Sequence, residues 1–318
     1  MRLIGFILGG LILLIAVAAL GGWLYLRAPD IPASELAARY GRPNSRYAAL
    51  PGDARLHYLE SGRPGAPTVL LIHGFGDNSF SWDGWTQVLA PDYHVLAVDL
   101  PGHGLTETPV DFSIDPARFA DVLDGLLGKL GLSRVAVAGN SLGGAVAWQL
   151  ALRHPDKVGR LILVDAAGWP SETLKKPPLA FRLMRYKLGR DIIASIDNTP
   201  LIREGLKKDV VDQSVLTDAF IQRWADLQRL PGHRTILMSM QPGGLAASKE
   251  TLAAIKVPTL IQWGAQDQII DVASAHKFAD AIPGSELILY PHAGHLPQVE
   301  AAQATARDVA AFLARHKE

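Results

Sequence analysis

The sequence predicts an α/β fold: a mostly parallel sheet covered by helices on both faces, with an inserted helical cap and a transmembrane helix ahead of it. Three observations lead there. Short stretches that are apolar throughout alternate with segments of helical periodicity, as expected of parallel strands buried on both faces. Between residues 165 and 257 the alternation stops, leaving helical patches and no convincing buried strand. Residues 3–26 contain no charge at all.

That N-terminal run is long enough for about 36 Å of helix at 1.5 Å per residue. Arg2 and Arg27 bracket it, and Trp23 and Tyr25 stand where an interfacial aromatic belt lies. The competing reading is a cleaved signal peptide, for which Ala16-Val17-Ala18 offers a small-residue site. A signal core spans only about 7–15 residues, and this run continues past that site, so an uncleaved single-pass anchor is expected. Gly5 and Gly9 form a G-x-x-x-G pair of the kind that joins helices, although glycine is common in such segments. Arg27, Arg39, Arg42 and Arg46 favour a cytoplasmic C-terminal side by charge counting. Long domains translocate largely regardless of flanking charge, so an extracytoplasmic catalytic domain is the expectation.

A linker follows over residues 27–45, with Pro29, Pro32 and Pro43 and one short helix from Ala33 to Tyr40. Strands are expected at Ala54–Glu60, Val69–His73, His94–Asp99, Val135–Gly139, Leu161–Asp165, Thr259–Trp263 and Glu286–Tyr290. Helices are expected at Phe119–Leu130, Leu142–Arg153, Ala273–Ala281 and Ala302–Arg315. Structureless loops as long as the 165–257 interval are rare inside a domain. Residues 169–248 are therefore expected to form the cap, leaving 46–168 and 249–318 as the core. Gln241-Pro242-Gly243-Gly244 marks the expected exit from the cap.

Composition narrows the chemistry. A chain of 318 residues with 48% apolar and 19% charged residues buries a full core. Its formal net charge of zero points away from nucleic acid as a partner. It has no cysteine, which excludes thiol catalysis, disulfides and thiolate metal sites.

The chemistry centres on Gly139-Asn140-Ser141-Leu142-Gly143, a G-x-S-x-G placed where a strand gives way to a helix. Such an elbow lifts one hydroxyl onto a sharp turn at the sheet edge. A serine hydroxyl needs a base, a group to orient that base, and donors for the developing oxyanion. His295, in a loop after the last strand, is the candidate base, with His292 its rival; the H-x-x-H spacing has no third metal ligand in sight. Asp267 is the candidate orienting acid and Asp165 the runner-up, while Asp271 reads as a helix N-terminal residue. The Phe75 and Leu142 backbone N–H groups are the candidate oxyanion donors, in His73-Gly74-Phe75-Gly76 and just after the nucleophile. His73 and the Asp99–Gly104 turn are expected to brace loops.

His73–Gly76, Asp99–Gly104, Gly139–Gly144, Asp267 and His295, five separated motifs in this chain order, together resemble the α/β-hydrolase superfamily over about residues 45–315. Within it, the elbow and cap position are similar to monoacylglycerol-lipase-like hydrolases with one N-terminal membrane helix, and to meta-cleavage-product hydrolases that cut C–C bonds. Serine at 141 departs from the epoxide hydrolases and haloalkane dehalogenases, which carry aspartate there. The resemblance implies two-step acyl transfer without cofactor or metal. The anchor favours lipophilic esters such as monoacylglycerols. The alternatives are the C–C hydrolase, a cofactor-independent haloperoxidase-like hydrolase, and a catalytically silent binding protein that would be expected to have lost its triad. A basic run (Lys175, Lys176, Arg182, Arg185, Lys187 and Arg190), interleaved with Leu174, Leu179, Phe181, Leu183, Met184 and Tyr186, would suit either lipid headgroups or a solvated helix face over an apolar pocket roof. An arginine there could also grip a substrate carboxylate.

Overall fold

The computed structural model describes residues 2–50, 54–109, 111–169, 182–183, 185–240 and 247–317. Its strands are β1 (Ser45–Ala49), β2 (Arg55–Gly62), β3 (Thr68–Ile72), β4 (His94–Val98), β5 (Val135–Asn140), β6 (Val158–Val164), β7 (Thr259–Gly264) and β8 (Glu286–Tyr290). They form one sheet in the order β1-β2-β4-β3-β5-β6-β7-β8. The β1/β2 and β2/β4 pairs are antiparallel, and every pair from β4 to β8 is parallel. The strands β3, β4, β5, β6 and β7 are buried along their whole length, which explains their continuous apolar runs.

Alternate residues of each strand feed two cores. Leu70, Ile72, Val137, Leu161 and Trp263 pack with Phe119, Leu123, Val146 and Phe278 on one face. Val69, Leu71, Ala138, Ile162 and Leu260 pack with Trp85, Leu89, Val309 and Phe312 on the other. The covering helices are α3 (Asp83–Leu89), α4 (Pro116–Lys129), α5 (Leu142–Arg153), α11 (Ala273–Ala281) and α13 (Ala302–Arg315), with the short α12 (Pro297–Glu300) leading into the last. Each fully buried Leu, Val or Phe contributes roughly 1.5–3 kcal/mol.

Two of the departures from the sequence expectation have identifiable reasons. The edge strand β1 is unanticipated because it is short and only half-buried, so Ser45–Ala49 shows little apolar pattern. Helix α4 starts three residues earlier than its periodicity implies: Asp115 accepts the Ala117 N–H and Pro116 occupies the first turn, neither of which carries an apolar signal.

Between β6 and β7 the described residues form helices only: α6 (Lys187–Ser195), α7 (Thr199–Asp209), α8 (Asp218–Leu227), α9 (His233–Leu237) and α10 (Lys249–Leu252), with a short 3-10 turn at Gln213–Val215. Lys175, Lys176 and their apolar neighbours Leu174, Leu179, Phe181 and Met184, and Gln241–Gly244, lie outside the described residues.

Helix α1 (Arg2–Leu26) is the one helix among the described residues long and apolar enough to cross a membrane; within it Gly9–Leu26 has a mean hydropathy of 2.1 and no buried residue. The segment after it is pinned. The Asp197 N–H donates to the Leu26 carbonyl (2.8 Å), Ala28 N–H to Ser195 O (3.0 Å) and Ile31 N–H to Arg229 O (2.8 Å). The Arg234 guanidinium pairs with Asp30 at 2.6 Å. Every one of these partners belongs to the helical segment between β6 and β7, so the expected linker is strapped to it. Helix α2 (Ala33–Tyr40) follows and holds on through Arg39 and Tyr40, which both bond Asp226.

Candidate active site

Ser141 sits between β5 and α5 with φ +52° and ψ −116°. A non-glycine residue is rarely held there, and such strain recurs at functional turns. Three backbone bonds enforce it: Ser141 N–H to Val164 O (3.0 Å), and Ala145 N–H (3.1 Å) and Ala167 N–H (2.9 Å) to Ser141 O. The flanking glycines are required by close approach. A Cβ on Gly139 would strike the Gly143 carbonyl, and one on Gly143 would strike the carbonyls of Ile72 and His73.

His295 and Asp267 meet at the same sheet edge. The His295 Nδ1 lies 2.7 Å from Asp267 Oδ2, and both residues are buried. Asp267 Oδ1 accepts the N–H groups of Ile269 (2.7 Å) and Ile270 (3.0 Å), which fixes the carboxylate. Burial alone would lower the His295 pKa; the charge and hydrogen bond of Asp267, with Asp209 and Glu300 behind it, outweigh that and raise it above 6.5. The rival His292 is exposed.

Asp165 stands beside this pair. It is fully buried at φ +44°; Oδ1 accepts the Gly264 N–H at 2.9 Å and Oδ2 has no hydrogen-bond partner among the described residues. Burial, and then the neighbouring Asp267 charge, raise its pKa well above the usual carboxylate value and favour its neutral form. Asp271 caps a turn through the Ala273 N–H. Ligating atoms of Asp165, Asp267 and His295 lie within 4.8 Å of one another, the spacing a metal ion would need. Most of them already bond each other or the backbone, which does not fit an ion.

Ser141 and His295 line one cavity of about 420 Å³, together with Gly74, Phe75 and Leu142. The 74–76 turn abuts the elbow, since a Cβ on Gly74 would stand 3.3 Å from that of Ser141. Leu142 opens α5, so its N–H lies among those left without intrahelical partners. Much of the remaining wall is apolar: Ile193, Leu201, Ile202, Trp224, Met238, Met240 and Ile269.

His73 and Asp99 lie behind the site as braces. His73 Nδ1 donates to the Gly74 carbonyl (2.7 Å) and Nε2 accepts the Leu100 N–H (3.0 Å). Asp99 bonds His57 and the N–H groups of Ser79 and Leu105. Burial works against its charge, but His57 and these bonds hold its pKa at about 2.

Several lining residues carry no sequence signal. Burial pushes the Asp77 carboxyl up to about 7 against the pull of the Ser81 hydroxyl and the Asn78 N–H, and its Oδ2 has no hydrogen-bond partner among the described residues. Enclosure pushes Asp209 up to about 6, and its carbonyl accepts the His295 N–H at 2.6 Å. Asn140, inside the elbow, donates to the His295 carbonyl at 3.0 Å and so ties nucleophile turn to histidine loop. Lys208 is the one lysine or arginine among the described lining residues, against Asp77, Glu204 and Asp209.

The parallel sheet and its covering helices agree with comparison to known proteins. Residues 67–302 match the model of the alpha/beta hydrolase fold family, and the chain belongs to that family. Over 253 residues it is 34% identical to an uncharacterized protein of Mycobacterium tuberculosis, covering 73% of this chain and 70% of that one. Over 268 residues it is 30% identical to a 2-hydroxy-6-oxononadienedioate/2-hydroxy-6-oxononatrienedioate hydrolase of Comamonas testosteroni, covering 82% and 91%. The solved structure of a membrane phospholipase A superposes with a TM-score of 0.73 at 29% identity, covering 97% of this chain and 98% of that one.

Proposed function

We propose that this chain is a membrane-anchored serine hydrolase of lipophilic carboxylic esters, monoacylglycerols or similar acyl lipids. The carrying observation is the 2.7 Å His295–Asp267 pair sharing a largely apolar cavity with a strained serine. In this reading His295 Nε2 takes the Ser141 hydroxyl proton as Oγ attacks the acyl carbonyl. The oxyanion is held by the Phe75 and Leu142 N–H groups. His295 returns the proton to the departing alcohol, and water then releases the acid from the acyl-enzyme by the same route.

Three features favour a neutral ester. The cavity wall is apolar where an acyl chain would lie. Its charged groups are mostly carboxylates, which would repel a dianionic dienoate in a low-dielectric site. The likeness to a membrane phospholipase A leaves only 3% of the chain uncovered, so it takes in most of α1. The C–C hydrolase named among the relatives supplies the second reading. Residues 169–248 would act as the cap over the site, and the catalytic domain would lie outside the cytoplasm.

One panel decides: p-nitrophenyl esters of increasing chain length, monoacylglycerols and a dienoate, each with wild type and Ser141→Ala. Turnover of the esters with a loss of about 10⁴-fold in kcat for Ser141→Ala is expected. Turnover of the dienoate alone would transfer the assignment to C–C cleavage. Near-wild-type activity of Ser141→Ala would remove the nucleophile.

A further inference from the structure

Helix α6 has two unlike faces. On one, Gly189 and Ile193 are buried, and Ile193 lines the cavity that holds Ser141. On the other, Leu188 is 72% exposed and Ile192 43%, with Tyr186 just ahead at 71%. Residues 182–195 carry Arg182, Arg185, Lys187 and Arg190 against the single acid Asp191. An exposed apolar patch edged with basic residues marks an interaction surface, and its composition is that of a helix lying in a lipid interface.

Its position says which surface. The last residue of α6 is joined to the last turn of α1: the Trp23 indole N–H donates to Ser195 Oγ at 2.9 Å. The Ala28 N–H donates to Ser195 O, and Arg27 bridges Ile196. Tryptophan near the end of a spanning helix sits at headgroup level. Ser195 is thereby held at that depth, and Ile192 is one turn away, its carbonyl accepting the Ser195 hydroxyl at 2.9 Å. One helical turn is about 5.4 Å, comparable to the roughly 5–10 Å over which interfacial helices embed.

We propose that α6 is a second membrane contact, lying in the headgroup–acyl boundary of an anionic bilayer with Leu188, Ile192 and Tyr186 inserted and the basic residues at phosphates. The proposal rests on the reading of α1 as an anchor. Because Ile193 lines the cavity from the opposite face of the same helix, the wall of the candidate site then rests on the membrane, and a lipid ester enters it from the bilayer.

The absence of native cysteine makes single-site labelling unambiguous. Full-length protein carrying Leu188→Cys, labelled with a polarity-sensitive fluorophore, is reconstituted into phosphatidylcholine–phosphatidylglycerol vesicles. The expected result is a blue-shifted emission quenched by spin-labelled lipid. The same label at Asp156→Cys, 76% exposed ahead of β6 at the opposite sheet edge, should not respond. Vesicle-bound protein with a water-like Leu188→Cys probe overturns the proposal and leaves the anchor standing. Protein that does not float with the vesicles removes the anchor and the proposal together. Self-quenching between labels without lipid quenching assigns the face to a second copy and overturns it. In activity, Leu188→Asp with Ile192→Asp should lose about tenfold or more on a vesicle-embedded ester, since charge at the interface opposes insertion. Turnover of a short soluble ester should be unchanged. Equal loss on both substrates overturns the proposal.

Discussion

The contrast between Asp267→Asn and Asp165→Asn tests the candidate site most sharply, because the two carboxyls are neighbours and only Asp267 bonds His295. Asp267 Oδ1 already accepts two backbone N–H groups, leaving Oδ2 to accept the His295 Nδ1–H. After Asp267→Asn the amide oxygen can keep the two backbone bonds, which turns its NH2 towards His295. Nδ1 must then accept, the imidazole proton moves to Nε2, and the nitrogen that should take the serine proton no longer can. In a serine protease the equivalent change costs about 10⁴ in kcat, or about 5.5 kcal/mol at 1.36 kcal/mol per decade. Asp165, by contrast, is held by the Gly264 N–H on Oδ1, and burial and the Asp267 charge raise its pKa and favour its neutral form. An amide there keeps an acceptor for the Gly264 N–H and leaves the His295–Asp267 bond intact, and the expected loss is under about tenfold. The assay is kcat/KM on a p-nitrophenyl ester at pH 8, with thermal unfolding as control for both variants. A larger loss for Asp165→Asn, or a folded Asp267→Asn enzyme with near-wild-type rate, would refute the assignment.

The raised His295 pKa predicts an acid limb in the kcat/KM profile with a midpoint above 6.5, because only the neutral imidazole can act as base. Asp209→Asn removes a nearby negative charge that favours the imidazolium, so the limb should move to lower pH; an upward or absent shift would show that Asp209 does not act on His295. Gly143→Ala drives a methyl into the Ile72 and His73 carbonyls and should destabilise by about 3 kcal/mol or more, read by denaturant unfolding. A wild-type midpoint would mean the elbow can relax. Deleting residues 2–27 should sharply weaken flotation with vesicles, leaving only the α6 contact, while short-ester turnover persists; undiminished flotation would place the main membrane affinity outside α1.

Local pattern was sufficient wherever a strand is buried on both faces or a helix is strongly periodic. His94–Val98, Thr259–Gly264, Ala273–Ala281 and Ala302–Arg315 announce themselves in this way, and the elbow does so through two glycines whose need is steric. The order of the motifs also placed Ser141, Asp267 and His295 at strand ends of one sheet edge, since parallel strands send their carboxyl ends to the same side. Choosing between Asp267 and Asp165 lay beyond the sequence. Both follow strands, and only the packed structure shows one accepting the His295 N–H while the other accepts the Gly264 N–H beside it.

What the sequence by itself determined is the fold class, the apolar N-terminal helix and the identity of the elbow, because each is written in the side chains of contiguous residues. The tertiary structure alone decided which carboxylates face the cavity, that Asn140 ties the elbow to the histidine loop, and that the segment after α1 is strapped to the helices over the site. Asp77, Asp209 and Ser195 look like ordinary polar residues in the chain. Their roles come from burial and from partners up to 172 positions away, as for Trp23 and Ser195, and no local pattern encodes such a contact.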